Sequence, residues 1–393
     1  MDFGLRQDQR MAQREARCFA RREIAARPAD RPADNALVGK MGQLGLFGCA
    51  FPEEYGGAES GFLTHSLVCE EISTVNSGLR PLFNLQGMTV PYTILQWGSA
   101  AAKERYVRSL VLGEKLGCTC FSEPHAGSDI AAIETTITAC GDHFLLNGTK
   151  TWISNGHAAD VALVYATMEP GSRHRGLCAV VVDTHQPGWS SRAIPKLGDH
   201  ATPIAEIHLD GVRVPKENLL GDLGRGFTVA MTALDRGRIS VASGAVGLAQ
   251  ACLDAAVEYA RRRNQFGHPI ATYQLIKGTI AEMVADVDGA RLLVRRAAWR
   301  ADQGQPFTRE AAIAKFVAGE TVVRAAGRTM EIFGGMGYSL DMPVERFYRD
   351  AKLYQIGEGT ANIMKILIAN DALGLKKANR SRPPNFAGTT DLA

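Results

Sequence analysis

The sequence predicts an α+β fold in three consecutive parts: an N-terminal helical domain over residues 1–118, a middle β domain over 119–225 and a C-terminal helical bundle over 226–376. A polar, disordered tail is expected over 377–393. Three observations carry this. A chain of 393 residues is too long for one ordinary core and suggests two or three packed units. Helical hydrophobic periodicity marks its first and last thirds, and short β-branched runs with turn signals replace it in between. Helices and strands are thus segregated, with no strand–helix alternation to support a doubly wound sheet.

The elements follow in order. Arg6 to Ala25 reads as a charged, alanine-rich helix. The tandem Arg27-Pro-Ala-Asp-Arg-Pro-Ala-Asp34 reads as a loop, since closely spaced prolines disfavour helix. Helices are expected over 36–48, 61–75 and 100–112, the first two separated by the turn-rich stretch Pro52-Glu-Glu-Tyr-Gly-Gly57. In the middle part, His143–Ile153 reads as two short strands around Asn147-Gly148, a hairpin signal. Val161–Met168 and Leu177–Thr184 read as strands, and Ala205–Leu209 alternates before a second hairpin signal, Asp210-Gly211. Helices return over 226–262 and 309–333, the latter closed by Gly334-Gly335, and over 361–373. Between them, Leu275, Ile276, Ile280, Met283, Val284, Val287 and Val294 form one apolar stripe, expected to be bundle core.

Composition excludes several classes. The 44 basic and 41 acidic residues leave a net charge of +3, which gives no electrostatic case for nucleic acid. The eight cysteines include no CxxC pair and no cysteine–histidine cluster with zinc spacing, so no metal site is expected. Scattered thiols of this kind suit a reduced, cytoplasmic setting. The N-terminus lacks the apolar core of a secretory signal, and no uninterrupted apolar run reaches membrane-spanning length.

Five stretches could carry chemistry. In Thr119-Cys-Phe-Ser-Glu-Pro-His-Ala-Gly-Ser-Asp129, Gly127 and Ser128 offer backbone N–H groups and a hydroxyl suited to a phosphate or a flavin edge, although a plain connecting loop fits as well. In Trp152-Ile-Ser-Asn-Gly156 an indole and the Ser154 hydroxyl are expected on one strand face, which would suit a planar heterocycle. Arg261-Arg-Arg-Asn-Gln-Phe-Gly267 is either a solvated helix end or a phosphate clamp. Asp235-Arg-Gly-Arg238 opens a bundle helix and fits a surface ion pair. Tyr354-Gln-Ile-Gly-Glu-Gly-Thr-Ala-Asn-Ile363 places one carboxylate, Glu358, between two glycines inside an apolar run. That carboxylate is a solvated turn residue or a positioned base. Gly334-Gly-Met-Gly-Tyr338 follows a helix rather than a strand and is not a nucleotide loop.

Taken together, these motifs resemble the acyl-CoA dehydrogenase family of flavoenzymes over about residues 1–375. The resemblance rests on SEPHAGSD, on RRRNQFG, and on EIFGGMGY followed by YRDAKLYQIGEGT. It implies a helical domain, a β domain and a four-helix bundle, bound FAD, and a homotetramer built as a dimer of dimers. It also implies α,β-desaturation of an acyl thioester, with the α-proton taken by a glutamate and the β-hydrogen leaving as hydride to flavin N5. The family's glutamate most often precedes Gly-Thr, which places it at Glu358. An apolar, water-poor setting is expected to make that carboxylate more basic once substrate binds. The N–H beside it and a flavin hydroxyl would hold the thioester oxygen. The alternative position of the base in the family falls on Gly237, which cannot serve.

Carried over residue by residue, Phe121, Ser122, Gly127 and Ser128 would line the flavin and the thioester arm. Trp152 and Ser154 would sit at the ring. Arg263, Phe266 and Gln274 would hold pyrophosphate and adenosine across a subunit interface. Gly334, Gly335, Thr360 and Asn362 would complete the cofactor site. Ser128, Asp235, Arg238 and Gly359 would contact substrate. Ser77-Gly-Leu-Arg80 resembles the glutaryl-CoA branch, in which this arginine binds a distal carboxylate; an ordinary helix-surface arginine fits the sequence equally. Gly357 stands where the family often has an aromatic residue and leaves that side of the acyl group open.

The implied partners are an acyl-CoA and an electron acceptor such as an electron-transferring flavoprotein. One alternative keeps the fold and places the acyl group on an acyl carrier protein, with Asp199-His-Ala-Thr-Pro-Ile-Ala-Glu206 resembling that branch. Another is a non-catalytic, flavin-holding protein that binds DNA or a protein partner. An intact Glu358 and the lack of a basic tract argue against it.

Overall fold

The computed structural model describes residues 4–378, so all but the first two residues of the expected tail lie outside the described residues. The N-terminal part holds α1 (Gln7–Phe19), α2 (Asn35–Gln43), α3 (Gly61–Val75), α4 (Arg80–Asn84), α5 (Val90–Trp97) and α6 (Ala100–Val111). α1 runs on into a π turn over Ala20–Ile24. α2 is capped by Asp34, whose side chain accepts from Leu37 N, satisfying one of the donors that a helix start leaves open.

The stretch between α3 and α6, to which the sequence reading assigns no element, is helical. It passes through α4, a π turn over Leu85–Thr89 and α5. Nearly every residue from Ser77 to Gln96 is buried, so no polar face writes a helical period into the sequence. Pro81 and Pro91 read as breakers, yet both occupy first-turn positions, where the missing N–H costs nothing.

The middle part is one seven-stranded sheet. Its strands are β1 (Gly117–Cys120), β2 (Thr136–Cys140), β3 (His143–Ser154), β4 (Val161–Thr167), β5 (Leu177–Asp183), β6 (Trp189–Ala193) and β7 (Ile204–Pro215). They run in the order β1-β4-β2-β3-β7-β6, with β5 on the other edge of β4. β4 is buried throughout and β5 nearly so, because the sheet's two faces meet different cores.

Both hairpin expectations are corrected. His143–Ser154 is one strand, and so is Ile204–Pro215. The two turn signals face each other across the β3–β7 ladder. Register shifts between Leu146 and Gly148, Gly211 takes φ +63, and Gly211 N donates to Asn147 Oδ1 at 2.8 Å. The Asn-Gly and Asp-Gly pairs therefore build a β-bulge rather than chain reversals.

The bundle consists of α7 (Gly226–Arg262), a small ribbon of β8 (Asn264–Gln265) and β9 (His268–Pro269), then α8 (Gln274–Asp302), α9 (Thr308–Phe333), α10 (Val344–Ala351) and α11 (Ala361–Ala372). α7 has the length and hydropathy of a membrane span, but 83% of its most apolar window is buried inside the chain, as befits the central core helix. The apolar stripe on α8 is only half core. Met283, Val287 and Val294 are buried, whereas Leu275 is 87% exposed and Val284 is exposed as well.

Candidate active site

The loop between α10 and α11 carries Glu358. Its backbone is left-handed, φ +58, followed by Gly359 at φ +90. A non-glycine residue in that region is held there against local preference, a condition found at functional loops. Three elements hold the loop. Asn84 Nδ2, from α4, donates to Glu358 Oε1 at 3.2 Å. From α9, Lys315 donates to the Gly359 carbonyl. It is 1% exposed, and burial lowers its pKa to about 8, so at neutral pH it still brings a positive charge to the loop. From α7, Gly237 supplies bare backbone: a Cβ there would lie 2.0 Å from Glu358 Oε1. The bare backbone at Gly237 thus makes room for the Glu358 carboxylate.

Arg80 lies on the same face of α4, one turn before Asn84. The surface reading is overturned, since Arg80 is only 6% exposed. Its guanidinium is 3.8 Å from Asp199 and 5.4 Å from the centre of the Tyr354 ring. Its Nε has no hydrogen-bond partner among the described residues. Burial opposes its charge, but Tyr354, Asp199 and Glu358 together hold its pKa above the ordinary value. Again a glycine of α7 makes the space: a Cβ on Gly244 would meet Arg80 Cγ at 2.3 Å. Gly237 and Gly244 stand two turns apart on one helix face, one opposite Glu358 and one opposite Arg80.

Asp235 and Arg238 form an ion pair at 2.6 Å. Both are buried, so the surface-pair reading also fails. Thr308 donates to the other oxygen of Asp235, and burial raises the Asp235 pKa.

In the middle domain Phe121 stacks on Tyr165 with ring centres 4.0 Å apart. Ser122 is tied to β3 by Thr151 N, which donates to its carbonyl at 2.9 Å. Gly127 and Ser128 are exposed, and a Cβ on Gly127 would meet only open space. The fold of this loop depends on a pair that the sequence reading missed. Buried Lys150 donates to buried Glu123 at 2.7 Å, and Glu123 also accepts from the backbone N–H groups of Glu134 and Thr135. Nothing in a sequence marks which two of many charges meet in the interior.

Trp152 is 61% exposed at φ +60, beside a register shift between Lys150 and Ile153. The shift breaks the period of two, so the shared face expected of Trp152 and Ser154 does not follow from alternation; Ser154 is half-buried. A flat aromatic held outward at a left-handed position fits a planar ring such as a flavin.

Most of the remaining cofactor candidates lie away from Glu358, Thr360 and Asn362 excepted. Tyr259 stacks on Phe333 with ring centres 4.0 Å apart, bringing the C-terminal ends of α7 and α9 together. That end presents Arg263, Gln274, Gly334 and Gly335, all exposed, and Phe266, which is 92% exposed. Arg263 lies at the far end of α7 from Gly237, roughly 40 Å away at the rise of an α-helix. One chain therefore does not bring this group to its own Glu358. Thr360 uses its side chain to cap α11, accepting from Ile363 N, and Asn362 is exposed.

Comparison with known proteins gives the family of the chain. The chain matches the N-terminal, middle and C-terminal domain models of acyl-CoA dehydrogenase over residues 6–114, 118–212 and 224–373. It is 45% identical to glutaryl-CoA dehydrogenase of Desulfococcus multivorans, over 97% of this chain and 100% of that one. It is 40% identical to the mitochondrial short-chain specific acyl-CoA dehydrogenase of Mus musculus, over 92% and 89% of the two chains. A solved structure described as the glutaryl-coenzyme A dehydrogenase glutaryl-CoA complex superposes with a TM-score of 0.94 at 43% identity, covering 98% of this chain and 100% of that one. The chain belongs to the acyl-CoA dehydrogenase family and carries out the FAD-dependent α,β-dehydrogenation of an acyl-CoA.

Proposed function

We propose that the acyl group is a short chain ending in a carboxylate, of the glutaryl type, and that Glu358 removes its α-proton. The observation that carries this is Arg80. It is a buried guanidinium with an open Nε, one turn along α4 from the asparagine that holds the base. A carboxylate on Arg80 would place the acyl chain along the α7 face of Gly237 and Gly244, with its α-carbon toward Glu358 Oε1. A charge-assisted pair in a desolvated pocket is strong enough to orient a small substrate. The name of the Desulfococcus multivorans relative supports the same reading.

In this reading the chain's residues divide the work. Asn84 orients Glu358, and Lys315 fixes the loop through the Gly359 carbonyl. The N–H beside the base faces the thioester oxygen, where negative charge develops as the proton leaves. FAD, when bound, supplies the hydride acceptor. Phe121, Ser122, Gly127, Ser128, Trp152 and Ser154 would hold its ring end. Arg263, Phe266, Gln274, Gly334 and Gly335 would hold the phosphates and adenosine of a neighbouring subunit's FAD, with Thr360 and Asn362 at the edge of the site. Ser128, Asp235, Arg238 and Gly359 would guide the pantetheine arm and thioester.

An acyl carrier protein as carrier is the less supported alternative, because the relatives described above are named for acyl-CoA esters. The same proposal includes a homotetramer, an electron-transferring flavoprotein as acceptor and a cytoplasmic location. All eight cysteines are unpaired, which suits that location.

The test is Arg80→Met with glutaryl-CoA and butyryl-CoA as substrates. We expect kcat/KM for glutaryl-CoA to fall about 100-fold, in keeping with the loss of a charged hydrogen bond of ~2–3 kcal/mol, and that for butyryl-CoA to change far less. An equal loss for both esters contradicts the assignment.

A further inference from the structure

Arg80 is not alone in its pocket. The loop 196–202 is pinned to the turn that carries it: Thr202 Oγ1 donates to the Gly78 carbonyl at 2.7 Å, and Ala201 packs on Gly78. At the centre of that loop Asp199 has left-handed backbone, φ +55. Its N–H donates to Asp350 Oδ1 at 2.6 Å, and its carbonyl accepts from Lys196 Nζ at 2.6 Å. The backbone of Asp199 is thus held on both sides, and its side chain is driven inward. The carboxylate is 1% exposed. Neither oxygen has a hydrogen-bond partner among the described residues, and the nearest cation is the Arg80 guanidinium, at 3.8 Å.

We propose that Asp199 is the specificity-determining counter-ion of Arg80: ionised, it neutralises the guanidinium and the pocket takes uncharged acyl ends, whereas protonated, it leaves Arg80 to pair with a substrate carboxylate. An anionic acyl end then enters together with one proton from solvent, which comes to rest on Asp199. This inference rests on the reading of Arg80 given above.

Electrostatics agree with the geometry. Burial, and then the neighbouring Asp350 carboxylate, raise the Asp199 pKa to about 7, against the pull of Arg80, Lys196 and Arg346. Asp350 is itself occupied by Ser77 Oγ, which donates to its Oδ2 at 2.9 Å. On the opposite side, Arg80 also faces Tyr354, Glu358 and Cys69. A second carboxylate beside one guanidinium disfavours double ionisation, and uptake of a proton relieves it.

The experiment uses the FAD-loaded enzyme and two unreactive coenzyme A thioethers, one with a four-carbon alkyl tail and one with the same tail ending in a carboxylate. Their dissociation constants are read from the flavin difference spectrum between pH 6 and 9. In the wild type, the preference for the carboxylate tail should fall up to tenfold per pH unit above about 7. In Asp199→Asn it should be independent of pH. A flat preference in the wild type, or the same slope in the variant, overturns the proposal. Arg80→Met separates the two layers. If it leaves the preference unchanged, the carboxylate reading itself fails. If it removes the preference while Asp199→Asn behaves as wild type, only the role of Asp199 fails. Should Asp199→Asn not fold, proton uptake by the wild type at pH 8 decides. One proton more is expected for the carboxylate thioether than for the alkyl one, and equal uptake overturns the proposal.

Discussion

At the residue scale, the site is built by subtraction as much as by placement. Glu358 Oε1 rests where a side chain on residue 237 would be, 2.0 Å from its ideal Cβ. Gly237→Ala should therefore push the carboxylate aside while leaving FAD bound. Displacing a catalytic group by about 1 Å can cost 10²-fold, and we expect a loss of that order in the rate of flavin reduction by stopped flow. Glu358→Gln should retain FAD and lose at least about 10²-fold in the same assay; unchanged reduction would place the base elsewhere. Glu358 stands out in the sequence as the proposed base because it is a lone charge in an apolar run, and because the following Gly-Thr matches a known motif. Asp199 and Lys315 do not stand out. Lys315 sits in an alanine-rich helix that reads as ordinary bundle, and only the packing of α9 against the α10–α11 loop turns it inward.

At the element scale, α7 and α9 present the active site and α4 inserts into it. Lys315→Met removes the donor to the Gly359 carbonyl while keeping the apolar stem. We expect kcat/KM to fall about tenfold or more through a loosened loop, with FAD content unchanged. A variant with normal kinetics would mean that Thr360 capping alone fixes the turn. The helices α1 and α9 were readable because each has a distinct buried face; α7, buried on all sides over 232–249, was readable through its length without a breaking proline. The helical run from Ser77 to Trp97 was not, because burial on all sides removes the period. The two hairpin signals misled for a related reason. Asn-Gly and Asp-Gly report only that the backbone needs unusual φ values, and a bulge needs them as much as a turn does.

At the scale of the whole molecule, one chain leaves an apolar surface uncovered. Leu275, Val284 and Leu292 on α8, with Trp299 nearer its end, are exposed, and Phe266 lies beside the same helix start, against Tyr273. The sequence stripe was only partly core, and its exposed part would pack against another subunit in the proposed tetramer. Leu275→Glu combined with Val284→Glu should give a smaller species by light scattering. It should also shed FAD, because Arg263, Phe266 and Gln274 would then lose their cofactor. Arg263→Ala alone should weaken FAD retention through the lost phosphate contact; full flavin occupancy after dialysis would count against the clamp.

The measurement that bears most directly on the whole account is an anaerobic absorbance titration of the FAD-bound protein with glutaryl-CoA, with butyryl-CoA run in parallel. Glutaryl-CoA is expected to bleach the flavin band near stoichiometry, and at lower concentration than butyryl-CoA at pH 6.5. A flavin bleached by butyryl-CoA and untouched by glutaryl-CoA would contradict the role given to Arg80.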